Sequence, residues 1–403
     1  MKRFISLLMV VAISISMFSG CGSNGDDSSG PVTITIWHDK EEAVANVLSE
    51  ALAGLAPEIN VVLEKKEGLT GALKIVGNDP SSAPDMYFFA HDKIGVYAEM
   101  GILEPITSFV SEEMLGSYIG MTLDAATYKE EIYQLPIYYE TLLFMYNKNL
   151  LSEDEVPKTT EKLYQYMKET SKSGEYGFVE QHSNVYYSVP WIHAFNGRLI
   201  DNEGTPLLNS EEIIEALEYH KKFLEFMPGE SEYSTVNTLF LEELAHSTIN
   251  GPWLVPSARE AGIDLGFASM PIVDKTNIPL TPYSGVQGLH VLKVAVDHKH
   301  DEIQKVLEAI TDPELGIKMA EVSGSAPAIS SCYDDERIKN DDMIMAMKET
   351  AEAAVPMPNI PEMDVMFVMA GNLLVSVNMK GTDVLEAAET FQKKAIQVID
   401  SMK

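Results

Sequence analysis

Residues 32–63 read VTITIWHDKEEAVANVLSEALAGLAPEINVVL, a segment that contains a complete strand–helix–strand unit. Apolar and polar side chains alternate through VTITIW, which is typical of a half-buried strand. Apolar residues then recur at helical spacing, which predicts a helix that begins at Asp39 or Lys40. The apolar run INVVL predicts the next strand. This unit therefore predicts an α/β fold in which helices cover a sheet.

The rest of the chain continues this alternation with interruptions. Further strands are predicted at residues 85–89 (DMYFF), 142–146 (LLFMY) and 285–294 (GVQGLHVLKV), and Pro252 suits the first turn of a helix. The remainder is mainly helical, with predicted helices at residues 303–310, 314–322, 342–354, 364–377 and 383–399. A long helical end does not fit one doubly wound sheet, and about 370 residues exceed one typical core. The sequence therefore predicts two α/β lobes.

The N-terminal residues indicate export. Lys2 and Arg3 precede an apolar run over residues 4–18, which is too short for a stable membrane span and is typical of a secretory signal. The run ends in FSGC, which looks like a bacterial lipobox with Cys21 as the lipidated residue; the alternative is an ordinary signal peptide with an incidental cysteine. The polar segment GSNGDDSSG is typical of a flexible tether. We therefore expect a lipid-anchored protein on the extracytoplasmic face of a bacterial cell membrane.

The composition narrows the class of partner. The chain has 29 basic and 61 acidic residues and a formal net charge of −32. Nucleic acid and anionic lipid would gain no counterion-release energy from so acidic a chain, so the field favours a neutral ligand or a cation. Membrane contact is then expected through the anchor only. Cys21 and Cys332 are the only cysteines, and lipidation of the first excludes a disulfide framework.

No sequence signature of an enzyme is present. The chain contains no Gly-x-Ser-x-Gly elbow, no P-loop and no His-Glu-x-x-His motif, and its nine histidines include no pair four residues apart. Paired carboxylates for glycoside hydrolysis could be assembled by chance from 61 acidic residues, so their presence carries no weight. We therefore expect no catalytic residues, no cofactor and no metal, and keep a glycoside hydrolase as a distant alternative.

Six short segments occur in order over nearly the whole mature chain. They are WHDK at residues 37–40, PDMYFFAHDK at 84–93, LPI at 135–137 with Glu140, YNK at 146–148, INGPW at 249–253, and MPNIP at 357–361. Together they resemble the maltose/maltodextrin-binding proteins of bacterial ATP-driven importers. Any one segment is a weak signal, whereas the ordered set is a specific one.

The resemblance implies a two-lobed binding-protein fold through which the chain passes between the lobes three times. The crossings are expected near residues 139–142, 284–288 and 339–343. The implied division is a signal peptide at 1–20, the lipidated cysteine and tether at 21–31, an N-terminal lobe at 32–139 plus 288–340, and a C-terminal lobe at 140–284 plus 341–403.

The resemblance also implies a sugar site in the cleft between the lobes. Its polar residues, which would bond sugar hydroxyls, are Asp39, Lys40, Asp92, Lys93 and Glu140. Its aromatic surfaces are Phe89, Tyr186, Trp253 and Phe367, and Tyr233 and Met357 fall on matching positions. These residue types suit a pyranose, because an aromatic ring covers its apolar face and charged groups pair with its hydroxyls.

The chain departs from the family at several of these positions. Phe89 and Phe367 replace tryptophans, and Lys93 replaces an arginine that could grip two hydroxyls as a planar fork. In the remaining changes a carboxylate is missing near Gly71, another is replaced by Asn184, and an arginine is replaced by Gly371. Gln287 and Asn184 are candidates to restore the lost contacts. Two alternatives stay open: Asp39 as a helix cap, and Tyr187 in place of Tyr186.

The function implied by the resemblance is that of the solute-binding subunit of an ABC importer. It would capture maltose or maltodextrin-type oligosaccharides by hinge closure and deliver them to membrane permease subunits, and we expect it to act as a monomer. Two alternatives are a receptor for another neutral oligosaccharide, galacto- or cyclic, and a surface sensor that feeds a signalling partner.

Overall fold

The computed structural model describes residues 30–201 and 203–402. The predicted signal peptide, the lipidation of Cys21 and nearly all of the predicted tether lie outside these residues. Within the part that is described, no helix is both long enough and apolar enough to cross a membrane.

The described residues form fifteen strands and sixteen α-helices. The strands are β1 (Val32–His38), β2 (Ile59–Lys65), β3 (Met86–Ala90), β4 (Leu103–Glu104), β5 (Thr127–Tyr128), β6 (Glu131–Ile132), β7 (Gln134–Thr141), β8 (Leu143–Asn147), β9 (Ser247–Asn250), β10 (Leu265–Ala268), β11 (Ile272–Val273), β12 (Ile278–Pro279), β13 (Tyr283–Leu292), β14 (Ala326–Pro327) and β15 (Val355–Pro356). The helices are α1 (Glu42–Leu52), α2 (Leu69–Val76), α3 (Ile94–Glu99), α4 (Glu112–Leu115), α5 (Gly120–Ala126), α6 (Thr160–Thr170), α7 (Val185–His193), α8 (Glu211–Leu224), α9 (Tyr233–Leu241), α10 (Val255–Glu260), α11 (Lys293–Ala309), α12 (Pro313–Ser323), α13 (Glu336–Lys339), α14 (Asp342–Ala353), α15 (Met363–Leu374) and α16 (Val384–Asp400).

Two main sheets organise the chain. The larger has eight strands, six of them in the order β14-β7-β13-β3-β1-β2, while β4 and β15 pair with β13. In it β1 runs parallel to β2 and β3, and the long strand β13 runs antiparallel to β3 and β7. The smaller sheet has the order β10-β8-β9 and is antiparallel. Only Leu142 separates β7 in the larger sheet from β8 in the smaller.

The buried apolar side chains of the described residues form three clusters, and the smaller sheet contributes to two of them, because Leu143 and Met145 of β8 pack in the same cluster as the larger sheet. The larger sheet contributes Ile36 and Phe88 to one core, whereas Phe144 of the smaller sheet packs in another core with Trp191 and Met366. Apolar burial on this scale is the main favourable term in folding, and more than one cluster accommodates a chain too long for a single core. The α/β prediction from alternating strands and helices is confirmed, whereas the exact lobe boundaries stay a prediction.

The first predicted unit is confirmed except at the start of its helix. The strand is β1 and the second strand is β2, as predicted, but α1 begins at Glu42 and its N-cap residue is Glu41. Capping of this helix by Asp39 is therefore wrong: the chain is still extended at Glu41, so Asp39 lies too far upstream. Its carboxylate pairs with Lys40 instead, with 2.8 Å between Oδ1 and Nζ.

The later predictions agree with the structure to within a few residues at most strand and helix ends. A short 3₁₀ turn at Pro252–Leu254 leads into α10, which confirms the helical start at Pro252. The predicted strand at 285–294 is β13, but it ends at Leu292, and α11 begins at Lys293 rather than at residue 303. Cys332 is a buried free thiol.

Candidate functional site

The candidate site begins where two parallel strands of the larger sheet end. Asp39 and Lys40 follow β1, and a 3₁₀ turn, His91–Lys93, follows β3. Because β1 and β3 pair in parallel, with His38 opposite Phe88, these residues emerge from the same edge of the sheet. The carboxyl edge of parallel strands is where ligands bind in open α/β sheets.

Lys40 is the polar centre of the first group of side chains. Its ammonium lies 2.8 Å from Asp39 Oδ1 and donates a 2.8 Å hydrogen bond to Gln287 Oε1. The same ammonium lies 5.2 Å from the centroid of the Phe89 ring, within the range of a cation–π contact. Only 11% of its side chain is exposed, so these contacts hold the ammonium in one place.

Glu140 lies near the end of β7 and adds a second carboxylate to this group. It is half-buried, and its Oε1 accepts a 3.0 Å hydrogen bond from Ser325 Oγ. Burial raises the pKa of Glu140, against the hydrogen bond from Ser325 and the positive charge of Lys40, which lower it. The negative charge of Asp39 raises it further. Two carboxylates and one ammonium therefore share one electrostatic environment.

Aromatic side chains stand close to this polar group. The Trp253 side chain is 38% exposed, and its Nε1–H donates a 3.2 Å hydrogen bond to the Tyr187 hydroxyl. The Tyr186 ring lies 6.2 Å from Trp253 between centroids, inclined at 45°. Burial, with the charge of Glu140 as a second cause, raises the pKa of Tyr186. Tyr233, at the start of α9, is 45% exposed.

A second group lines a cavity of about 380 Å³ beside the first. Lys93 Nζ lies 3.2 Å from Asp92 Oδ2 and 2.6 Å from Asp364 Oδ1. Met357 and Phe367 form part of the apolar wall, together with Pro358 and Met363. Four of the eleven predicted sugar-binding residues therefore belong to the second group: Asp92, Lys93, Met357 and Phe367. The other seven form the first group: Asp39, Lys40, Phe89, Glu140, Tyr186, Tyr233 and Trp253.

His91 fixes the turn that carries Asp92 and Lys93. The imidazole is fully buried, with Nδ1 accepting from the Val286 N–H at 3.0 Å and Nε2 donating to the Met357 carbonyl at 2.8 Å. This assignment of donor and acceptor follows from the hydrogen-bond network. Burial lowers the pKa of His91, which keeps the ring neutral, as both bonds require. His91 thus ties β3 to β13 and to the segment that precedes α15.

The substituted positions have different local roles. Asn184 Oδ1 accepts a 3.0 Å hydrogen bond from the Tyr186 N–H and caps α7, so this side chain orients the helix that carries Tyr186. Gln287, by contrast, contacts Lys40 directly. A Cβ on Gly71 would meet nothing within 4 Å, which leaves open space where the family's carboxylate is missing. Ser325 and Asp364 were not predicted, because each meets its partner only through the fold.

No group of three or more histidine, cysteine, aspartate or glutamate side chains in the described ranges is arranged to hold a metal ion. The arrangement that is present combines exposed aromatic faces with clustered carboxylates and ammonium groups. An aromatic face can cover an apolar ligand surface, and charged groups can donate to and accept from hydroxyls. The geometry therefore suits binding of a neutral polyhydroxylated molecule.

Known proteins that are similar in sequence include binding proteins for neutral sugars. Residues 50–346 match the family of bacterial extracellular solute-binding proteins. A maltotriose-binding protein of Pyrococcus abyssi (strain GE5 / Orsay) is 32% identical over 344 residues, which cover 83% of this chain and 75% of that protein. A galactooligosaccharide-binding protein of Bacillus subtilis (strain 168) is 26% identical over 409 residues, 96% of this chain and 95% of that one.

Among solved structures, a cyclo/maltodextrin-binding protein complexed with maltotetraose aligns with a TM-score of 0.83 and 24% identity, covering 94% of this chain and all of that one. This likeness confirms the predicted two-lobed α/β fold.

Proposed function

Because this chain belongs to the bacterial extracellular solute-binding proteins, we propose that it captures a maltodextrin-type oligosaccharide in the cleft between its lobes. The observation that carries the proposal is the combination of the exposed Trp253 face, which the Tyr187 hydroxyl orients beside the Tyr186 ring, with the clustered charges of Asp39 and Lys40. Sugar rings would stack on the aromatic faces, and their hydroxyls would bond Asp39, Lys40 and Glu140. Stacking removes apolar sugar surface from water at about 25 cal/mol per Å².

The second group extends the proposed site along the cleft. Asp92 and Lys93 would bond hydroxyls of a neighbouring sugar unit, and Phe367 and Met357 would form its apolar walls. Phe89 would form an apolar wall of the first group, beside Lys40. Tyr233 would contact the sugar on the Trp253 side. Phenylalanine offers a smaller face than tryptophan, so Phe89 and Phe367 would each cover less of a sugar ring.

The wider setting of the proposal follows from the family. The chain would be anchored through lipid on Cys21, stand on the extracytoplasmic face of the membrane as a monomer, and hand its sugar to the permease subunits of an ABC importer. Lobe closure would shift the population between two arrangements, since contacts to both walls exist only when the cleft is closed. We place the lobes at residues 32–139 with 288–340, and at 140–284 with 341–403. The protein itself would perform no chemistry.

A calorimetric titration of the tether-trimmed protein tests the proposal. The panel is maltose, maltotriose, a longer dextrin, a cyclic dextrin and a galacto-oligosaccharide. Micromolar or tighter binding to the linear α-glucans is expected. Binding of the galacto-oligosaccharide alone would move the proposal to the second candidate, which the similarity to the Bacillus subtilis protein favours. Shortened sugar products after incubation would instead indicate a hydrolase.

Glu140 should make sugar affinity dependent on pH. Because the pKa of Glu140 is raised, its carboxylate is protonated at a pH above the ordinary glutamate pKa of about 4.3. Protonation removes a charge-assisted hydrogen-bond acceptor. Affinity for maltotriose should be full at neutral pH and fall on acidification, at a higher pH than for an ordinary glutamate. The variant Glu140→Gln should bind about 1.5–3 kcal/mol more weakly at pH 7 and show a flatter profile. Parallel profiles for the two proteins would remove Glu140 from the site.

A further inference from the structure

We propose that Lys93 and Asp364 form an ion pair that holds the cleft closed, so that Asp364 controls sugar affinity by positioning the lobes rather than by bonding sugar. This inference rests on the proposed sugar-binding function. It assigns a role to a carboxylate that the sequence did not single out, and it gives Lys93 a second role besides contact with a hydroxyl.

The pair is close and joins distant parts of the chain. Lys93 Nζ lies 2.6 Å from Asp364 Oδ1, across 271 residues of sequence. Asp92 Oδ2 lies 3.2 Å from the same ammonium, so Lys93 stands between two carboxylates. Burial opposes the charged form of Lys93, but the bonds to Asp364 and Asp92 prevail and raise the pKa of the ammonium.

The two partners are attached to different cores. Lys93 directly precedes α3, whose Ile94 and Tyr97 pack in a core with Tyr87 of β3 in the larger sheet. Asp364 lies in the first turn of α15, whose Met363 and Met366 pack in a different cluster, together with Phe144 and Trp191. A movement of one core relative to the other would therefore change the distance between the ammonium and the carboxylate.

The turn that carries Lys93 is fixed in position, and its ammonium lies between two carboxylates. His91 holds the turn before Lys93 in place through bonds to Val286 and the Met357 carbonyl. A lysine ammonium is a compact charge with three donors, so it can bond two carboxylates and keep one donor for a hydroxyl.

The pair is partly exposed, which sets the size of its effect. The side chains of Lys93 and Asp364 are 21% and 55% exposed. Pairs of this kind contribute little in water and are screened by salt, so the expected change in affinity is about two- to fivefold. That change is enough to shift a two-state equilibrium between open and closed forms measurably.

A double-mutant cycle on maltotriose affinity tests the inference. Asp364→Asn should weaken binding by about two- to fivefold in the wild-type background and by no measurable factor in the Lys93→Met background. The matched control is Glu386→Gln, which removes an exposed carboxylate from the first turn of α16 and should leave affinity unchanged. Equal losses in both backgrounds, or tighter binding by Asp364→Asn, would overturn the inference.

A second readout needs no sugar and separates this inference from the proposed function. In X-ray scattering of the sugar-free protein, Asp364→Asn should have a larger radius of gyration than the wild type at low salt. The wild type should expand to the same value in about 1 M NaCl, where the Debye length falls to about 3 Å. Identical radii for both proteins at low salt would overturn the ion pair as a lobe contact, whether or not maltotriose binds.

Discussion

Replacing Trp253 with alanine is expected to weaken maltotriose binding by about 2–4 kcal/mol, as measured by calorimetry. Trp253 is the large aromatic of the site with an open face, and its Nε1–H bond to Tyr187 fixes the orientation of that face. Truncation would remove the stacking surface and leave the Tyr187 hydroxyl without this partner. A loss of this size corresponds to about thirtyfold to a thousandfold in the dissociation constant.

Two further variants separate a role in binding from a role in folding. Trp253→Phe keeps an aromatic face and should recover part of the lost affinity. Phe391→Ala truncates a half-buried aromatic on α16 that lies outside both groups of the site, and it should leave affinity unchanged. If Trp253→Ala binds maltotriose as tightly as the wild type, Trp253 is not part of the site.

Replacing Glu180 with alanine is expected to lower the free energy of unfolding by about 3–5 kcal/mol. The Glu180 side chain is fully buried, and its two oxygens accept from Trp191 Nε1 at 3.1 and 3.0 Å. His220 Nε2 bonds the same carboxylate. Truncation would leave the indole N–H and the imidazole buried without an acceptor, which is costly in a low-dielectric interior. Urea denaturation measures the change.

The Glu180 prediction connects the core with the site, because Trp191 lies on α7, the helix that carries Tyr186. Glu180→Gln keeps one oxygen acceptor and should destabilise the protein less than the alanine variant. Glu218→Ala is the matched control, since it removes an exposed carboxylate from α8 and should change the unfolding free energy by less than about 0.5 kcal/mol. Equal stability of Glu180→Ala and the wild type would show that the bonds of Glu180 to Trp191 and His220 do not stabilise the core.

Elements with a clear period were predictable, whereas their starting residues were less so. Alternation located β1 and the apolar run located β2, because periodicity depends on which face is buried. The start of α1 was wrong because Asp39 is a good capping type, whereas the actual N-cap, Glu41, makes no side-chain cap bond. The capping preference of aspartate does not reveal that Asp39 pairs with Lys40 or that Lys40 also bonds Gln287.

The site was predictable as a set of residue types but not as a set of contacts. The resemblance named Lys93, yet its closest partner Asp364 is 271 residues away and follows no local pattern. Asn184 was a candidate sugar contact, and only the folded chain reveals that its oxygen caps α7. Contacts of this kind depend on tertiary packing. The sugar-binding roles of the eleven residues stay predictions.

X-ray scattering of the tether-trimmed protein with and without saturating maltotriose tests the central claim most directly. Capture in a cleft between two lobes predicts that the radius of gyration falls as one equivalent of sugar binds, and that it does not fall with a sugar that fails to bind in the calorimeter. An unchanged radius of gyration at full occupancy would contradict closure of the lobes on the oligosaccharide.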